Sequence, residues 1–351
     1  MRRGTGDGGR ERLAIRVAAL LCVFLASACA RPGPIPPATQ PAPVPSPVTV
    51  EPPTRSSFPR LGIVAGGAGL LQYRIEGTGG DTVLVPLTSW LFSPLAELGK
   101  HHTVVFYDPR HRGLSHALSD TAAATFDGDV YDLEAVRAAV GASRVTVIGY
   151  DYYAGVAAAW AAAHPQSVTR LVLLSPIEPA DSLARTWNPP ERMLRIDTTA
   201  ARALVKARAA GRDTTDLAGY CTEFWRVNAR LFVGDTAHAG AVRPDWCQLD
   251  NESPARIATA AGHALASLGP AVDIGARAAG LTAPTLVMHG RLDLVSNPEG
   301  AREWTRRIDG ARLLWLSNVG HMPHLEDGTV VVEAIADFLA GRWPPRAGPP
   351  E

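Results

Sequence analysis

Short apolar runs alternate with amphipathic stretches along most of the chain, and the spacing of these runs predicts its elements. Residues 71–75 (Leu-Gln-Tyr-Arg-Ile) alternate in the way of a half-buried strand that stops at Gly77. Residues 82–85, 103–107, 144–148 and 171–174 are short runs rich in Val, Leu and Ile, the pattern of strands buried on both faces. Between them lie a helix near 94–98, a helix with apolar positions from Asp132 to Val140 ending at Gly141, and an Ala-rich helix running to His164-Pro165. After Pro176 the strand rhythm breaks for roughly a hundred residues of helical pattern, then resumes at 284–288 and 311–316. An amphipathic helix over 330–339 follows. Strands separated by helices imply an α/β fold, a mostly parallel sheet covered on both faces, with a helical insertion between the fourth and fifth parallel strands.

The N-terminal region has a different character. Arg2, Arg3, Arg10, Arg12 and Arg16 precede an uncharged stretch from Val17 to Ala28, which ends in Ala26-Ser27-Ala28-Cys29. A spanning helix needs roughly 20 apolar residues, so this run reads as an export signal rather than a membrane span. Arg31 to Pro53 then holds ten prolines, a composition that builds no core and serves as a spacer. The expected organisation is a signal over 1–28, a stalk over 29–58, a core over 59–176 and 282–345, and a lid over 177–281. Lys plus Arg and Asp plus Glu balance at 34 each, so no basic excess argues for nucleic acid. With no Gly-rich phosphate loop, no nucleotide or other cofactor is expected. The histidines His101, His102, His111, His116 and His164 lack metal-ligand spacing, and no metal is expected. Cys221 and Cys247 are left to the folded part, and two readings are open, a disulfide or two buried thiols.

Four local patterns carry the chemistry. Asp108-Pro109-Arg110-His111-Arg112-Gly113-Leu114-Ser115 follows an early strand. Ile148-Gly149-Tyr150-Asp151-Tyr152-Tyr153-Ala154 joins a strand to the Ala-rich helix. His289-Gly290-Arg291-Leu292-Asp293 and Val319-Gly320-His321-Met322-Pro323-His324-Leu325-Glu326 come later, each after a strand. In this order they resemble the D-x-R-G-x-G-x-S turn, the nucleophile elbow, the acid loop and the base loop of the α/β-hydrolase superfamily. That resemblance implies a triad of Asp151, Asp293 and His321, with oxyanion donors from the backbone of Tyr152 and of Leu87 or Thr88. The lid, with Tyr220-Cys221 and later Cys247, looks like that of proline-iminopeptidase relatives. The segment ending at Cys29 resembles a bacterial lipoprotein signal, implying lipidation at Cys29 and a membrane-anchored, extracytoplasmic protein. An ordinary secretory signal is the alternative.

The elbow departs from the family pattern, with Asp151 where serine is usual and Tyr153 where the second glycine belongs, a bulk that threatens the turn. The Asp nucleophile is similar to that of epoxide hydrolases and haloalkane dehalogenases. A carboxylate attacking an acyl carbon makes a high-energy anhydride, whereas attack on a saturated carbon gives a stable alkyl ester that His321 and water can hydrolyse. Cleavage of a C–O bond in a small, fairly apolar substrate is therefore expected. In epoxide hydrolases lid tyrosines protonate the leaving oxygen, which makes Tyr220 the candidate acid. An esterase or aminopeptidase relative and a non-catalytic ligand binder remain as alternatives. Asp108 and Arg110 are read as braces of their loop, and His324 and Glu326 as residues at a helix start and on the surface.

Overall fold

The computed structural model describes residues 60–242, 244–269 and 272–349. The expected signal, lipidated Cys29 and stalk lie outside the described residues. Eight strands form one sheet: β1 (Leu61–Gly66), β2 (Gly69–Glu76), β3 (Thr82–Pro86), β4 (Thr103–Tyr107), β5 (Val145–Tyr150), β6 (Val168–Leu174), β7 (Thr285–Gly290) and β8 (Arg312–Leu316). Their order is β1-β2-β4-β3-β5-β6-β7-β8. β1 and β2 pair antiparallel, as do β2 and β4, and the remaining neighbours run parallel. Every residue of β3, β5 and β7 is buried, as expected of strands with helices on both faces. The sheet is thus the mostly parallel one that the apolar runs predict, with one strand more. β1 escapes the pattern because its largest side chains, Leu61 and Ile63, point outward and are 62% and 67% exposed. The first connecting helix also lies earlier than expected. It spans Thr88–Leu95 with Pro94 in its last turn, and a 3₁₀ turn Ala96–Lys100 follows.

The Ala-rich helix Tyr152–Ala163 is buried from Tyr152 to Ala161, its small side chains allowing close approach to β5 and β6. The helix Phe126–Ala139 packs beside it, capped at its start by the Thr125 side chain, which accepts from Gly128 N–H. Between β6 and β7 the chain leaves the sheet for a helical insertion that includes Thr198–Ala209, Leu217–Phe232 and Pro254–Ala266. Within it Cys221 and Cys247 form a disulfide with Cα atoms 5.5 Å apart. The bridge ties helix Leu217–Phe232 to the 3₁₀ turn Pro244–Gln248. Trp225 and Trp246 of this insertion pack against Trp90 of the core, with ring centroids 5.4 and 5.3 Å away. The turns that leave the carboxyl ends of β3, β5, β7 and β8 carry Leu87, Asp151, Asp293 and His321. Open parallel sheets bind ligands at such ends.

Candidate active site

Asp151 stands at the apex of the turn between β5 and helix Tyr152–Ala163, with φ 52° and ψ −124°. A non-glycine residue in this region costs of order 1–3 kcal/mol and persists only where the surroundings impose it. Here Asp151 N–H donates to Leu174 O at 3.1 Å, and the Asp151 carbonyl accepts from Ala154 N–H at 3.1 Å. The turn closes only because Gly149 lacks a side chain. A Cβ there would lie 2.5 Å from the Tyr153 carbonyl oxygen and 2.6 Å from Ala154 Cα. Tyr153 does not obstruct the turn. Its ring meets Tyr152 edge-on at 5.0 Å and lines the cavity beside Asp151.

Behind Asp151 the expected partners assemble. His321 Nε2 lies 3.6 Å from Asp151 Oδ1, and His321 Nδ1 lies 2.9 Å from Asp293 Oδ2. Asp293 Oδ1 accepts from Val295 N–H at 2.7 Å and Ser296 N–H at 3.0 Å, and His289 Nε2 is 3.3 Å from Oδ2. Burial pushes the Asp293 carboxyl upward, but His321, His289 and the Val295 amide outweigh it and hold the group below the ordinary carboxylate range. Burial would lower His321, yet the charge and hydrogen bond of Asp293, with the charges of Asp151 and Glu178, bring it up to about 8. Desolvation raises Asp151 above its usual value, opposed by His321 and by a hydrogen bond from the Tyr152 backbone N–H. The Tyr152 amide, expected from the sequence as an oxyanion donor, thus meets the carboxylate of Asp151. Leu87, in a left-handed conformation at φ 70°, lines the cavity, while Thr88 turns its hydroxyl to Asp108.

The cavity in front of Asp151 has a volume of ≈ 90 Å³. Ile257, Ala260 and Ala261 of helix Pro254–Ala266 roof it, and Trp90, Tyr150, Tyr153 and Asp129 form walls. Tyr220 does not line it. That side chain is 1% exposed and packs within the insertion, where Arg208 and Asp213 are the charges it feels. The reading of Tyr220 as lid acid is thereby corrected, because the disulfide-bonded helix turns this face into its own packing.

His324 and Glu326 are corrected as well. They do lie in a short helix, Pro323–Glu326, but His324 is 2% exposed and the Glu326 side chain is fully buried. Glu326 accepts from Gly320 N–H at 2.7 Å and Gly234 N–H at 2.6 Å, and so clamps the base loop to the end of helix Leu217–Phe232. Arg110 and Asp108 act as braces. Arg110 holds Asp132 through Nε and Nη2, both at 2.6 Å, and Asp108 accepts from Leu114 N–H at 2.9 Å.

Two residues of the site escape sequence reasoning. Glu252, fully buried, receives Arg112 Nη2 and Trp90 Nε1, each at 2.8 Å, and Gly113 N–H at 2.8 Å, which fastens the insertion over the cavity. Asp129, 7% exposed, accepts from the Tyr152 hydroxyl at 2.8 Å. Nothing local marks either residue, since both lie in polar stretches and acquire meaning only from distant partners. Among the described residues no group of His, Cys, Asp and Glu is arranged to hold a metal ion.

Known proteins resemble this arrangement. A proline iminopeptidase of Heyndrickxia coagulans is 23% identical over 291 residues, covering 79% of this chain and 96% of that protein. The crystal structure of the enol-lactonase from Burkholderia xenovorans LB400 superposes with a TM-score of 0.59 at 22% identity, covering 80% of this chain and 100% of the other. The esterase RhEst1 from Rhodococcus sp. ECU1013 gives 0.59 at 21% identity, covering 80% and 98%. At these identities the solved structures speak for the fold. The model of the α/β-hydrolase fold family matches residues 75–328, which span both the core and the helical insertion. The chain belongs to the α/β-hydrolase fold family and is a hydrolase.

Proposed function

We propose that the protein cleaves a saturated carbon–oxygen bond of a small, largely apolar molecule of the epoxide class, through an alkyl ester on Asp151. The observation that carries this reading is the setting of the carboxylate. Asp151 occupies the apex of the strand–helix turn, the Tyr152 N–H holds its carboxylate, and His321 Nε2 stands 3.6 Å from Oδ1. The carboxylate is thus stabilised by a neighbouring amide, and His321, beyond hydrogen-bond reach of Oδ1, is poised for a water rather than for the nucleophile. A carboxylate needs no general base to become nucleophilic, so His321 serves the second step. In that step water attacks the ester carbonyl, and the Tyr152 amide stabilises the oxyanion that forms on Asp151 itself.

The names of the relatives support a second reading, acyl hydrolysis as in an esterase, lactonase or iminopeptidase. Chemistry weighs against it, because a carboxylate on an acyl carbon gives a mixed anhydride. The two readings separate in one experiment. With 1,2-epoxybutane, His321→Gln is expected to accumulate an adduct on the peptide containing Asp151, seen as a mass increase, and Asp151→Asn is expected to form none. In single turnover in ¹⁸O-water the wild-type enzyme, not the first product, acquires the label. Turnover of aryl esters with no adduct from any epoxide would instead establish acyl chemistry. Ligand-dependent thermal stabilisation without turnover would leave a binding module.

A further inference from the structure

Opening an epoxide requires a proton at the oxygen that leaves carbon, and Tyr220 lies outside the cavity. We propose that Asp129 is the general acid of this site and protonates the leaving oxygen while Asp151 attacks. This rests on the reading of Asp151 as nucleophile. Asp129 lines the same cavity as Asp151 and is 7% exposed. Its Oδ2 accepts from the Tyr152 hydroxyl at 2.8 Å, whereas among the described residues its Oδ1 has only Arg110 Nε, at 3.9 Å, beyond hydrogen-bond reach. Arg110 is committed elsewhere. Nε and Nη2 bind Asp132 at 2.6 Å each, and Nη2 also donates to Gly128 O at 2.7 Å. One guanidinium thus faces two carboxyls and satisfies Asp132, which leaves Asp129 as the surplus acid.

A single residue spaces the two functional carboxyls. The Tyr152 amide holds Asp151, and the Tyr152 hydroxyl holds Asp129. Burial brings Asp129 up to about 7, against the Tyr152 hydrogen bond and the charge of Arg110, with Asp132 adding to the rise. That value suits a group that must hold a proton near neutrality and release it in the transition state. The other hydroxyls on the wall, Tyr150 and Tyr153, are pushed well above 10 by burial and are far weaker acids. The groups that face Asp129 are Asp132 on its own helix, Arg110 and Arg112 from the loop after β4, Tyr107 of β4, and Tyr152 and Tyr153 of the elbow helix. The roof helix presents only Ile257, Ala260 and Ala261 to the cavity.

The proton account closes. A carboxylate oxygen of Asp151 bonds to carbon, and the C–O bond breaks with its electron pair on oxygen, which takes the Asp129 proton. His321 then removes a proton from water as hydroxide adds to the ester carbonyl, and returns it to the departing alcohol oxygen. The proton left on the Asp151 carboxyl passes through solvent to Asp129, so that epoxide and water become a diol.

The test compares leaving groups that do and do not need a proton. In the His321→Gln background, alkylation of Asp151 by 1,2-epoxybutane and by 1-bromobutane is timed by peptide mass. Asp129→Asn is expected to slow the epoxide by about 100-fold or more and to change the bromide, whose halide leaves unprotonated, by less than about threefold. The epoxide rate should fall as pH rises through about 7, and Asp129→Asn should abolish that limb. Tyr152→Phe, which keeps the ring, should move the limb to higher pH, because the lost hydrogen bond favours the carboxylate. Equal loss on both substrates, or an unchanged epoxide rate with adduct still forming on Asp151, overturns Asp129 alone. Absence of an Asp151 adduct from either reagent overturns the nucleophile, and the acid with it.

Discussion

At the residue scale, the charge relations around His321 separate the two half-reactions of the proposed mechanism. In the free enzyme His321 is brought to about 8, and the Asp151 carboxylate contributes to that rise along with Asp293 and Glu178. Esterification removes the Asp151 charge, so His321 in the alkyl-enzyme should titrate below about 8. The general base must be neutral, so dealkylation should rise with pH through that lower midpoint. Rapid-quench measurement of adduct decay across the range checks this, and a midpoint at or above the free-enzyme value would show that Asp151 and His321 are not coupled. Asp151, Asp293 and His321 are legible in the sequence because each sits in a short motif that follows a strand. Asp129 and Glu252 are not, because their roles depend on ion pairs and hydrogen bonds that span up to 140 positions. Tyr220 shows the opposite failure. The right residue type in the right segment faces the interior of the insertion.

At the element scale, the base loop and the insertion behave as one piece. Both His321 N–H and Met322 N–H donate to the Phe232 carbonyl, at 2.9 and 3.0 Å, so the end of helix Leu217–Phe232 positions His321. The contact is backbone against backbone, and a Cβ on Gly234 would lie 2.6 Å from the Val319 carbonyl carbon. Glu326 seals this junction with hydrogen bonds to Gly320 and Gly234 N–H. Burial raises its carboxyl, so the negative charge is itself costly there while both acceptor oxygens are needed. Glu326→Ala should therefore lose several kcal/mol of stability, at about 1.5–3 kcal/mol per hydrogen bond to a charged group, together with most activity. Glu326→Gln, which keeps one acceptor oxygen but sets an amide NH2 against the other N–H, should fall between Glu326→Ala and wild type in both. Chemical denaturation alongside kcat measures the two, and equal loss in both variants would show that the charge itself matters. The alternation of strands and helices was readable because both faces of β3, β5 and β7 are apolar. The internal wiring of the insertion was not, since its helices carry no strand register to fix their faces.

At the scale of the whole molecule, buried ionisable groups set the pH range in which the fold is stable. Burial lowers His289 to about 4 and His324 to about 3, while each returns to about 6.5 in the unfolded chain. Between those values the unfolded state binds more protons, so each histidine contributes stability above about pH 6.5 that is lost as pH falls, at about 1.4 kcal/mol per unit. Asp129 acts in the opposite sense. Raised from 3.8 to about 7, it binds its proton more tightly when folded and removes stability as pH rises between those values. His321, raised to about 8, adds stability that is present below about 6.5 and lost as pH rises through 8. Two histidines against one aspartate leave a net fall on the acid side, and Asp129 with His321 give a fall on the alkaline side, so stability should be greatest near pH 6.5. Asp129→Asn removes one of these slopes. Its denaturation midpoint should match wild type near pH 4, exceed it increasingly towards pH 7, and remain above it at higher pH. Urea titrations of the two proteins across this range decide the point. A variant no more stable than wild type at pH 8 would mean that the buried carboxyl carries no cost in the folded enzyme, and that its proton is not held in the way the cavity geometry requires.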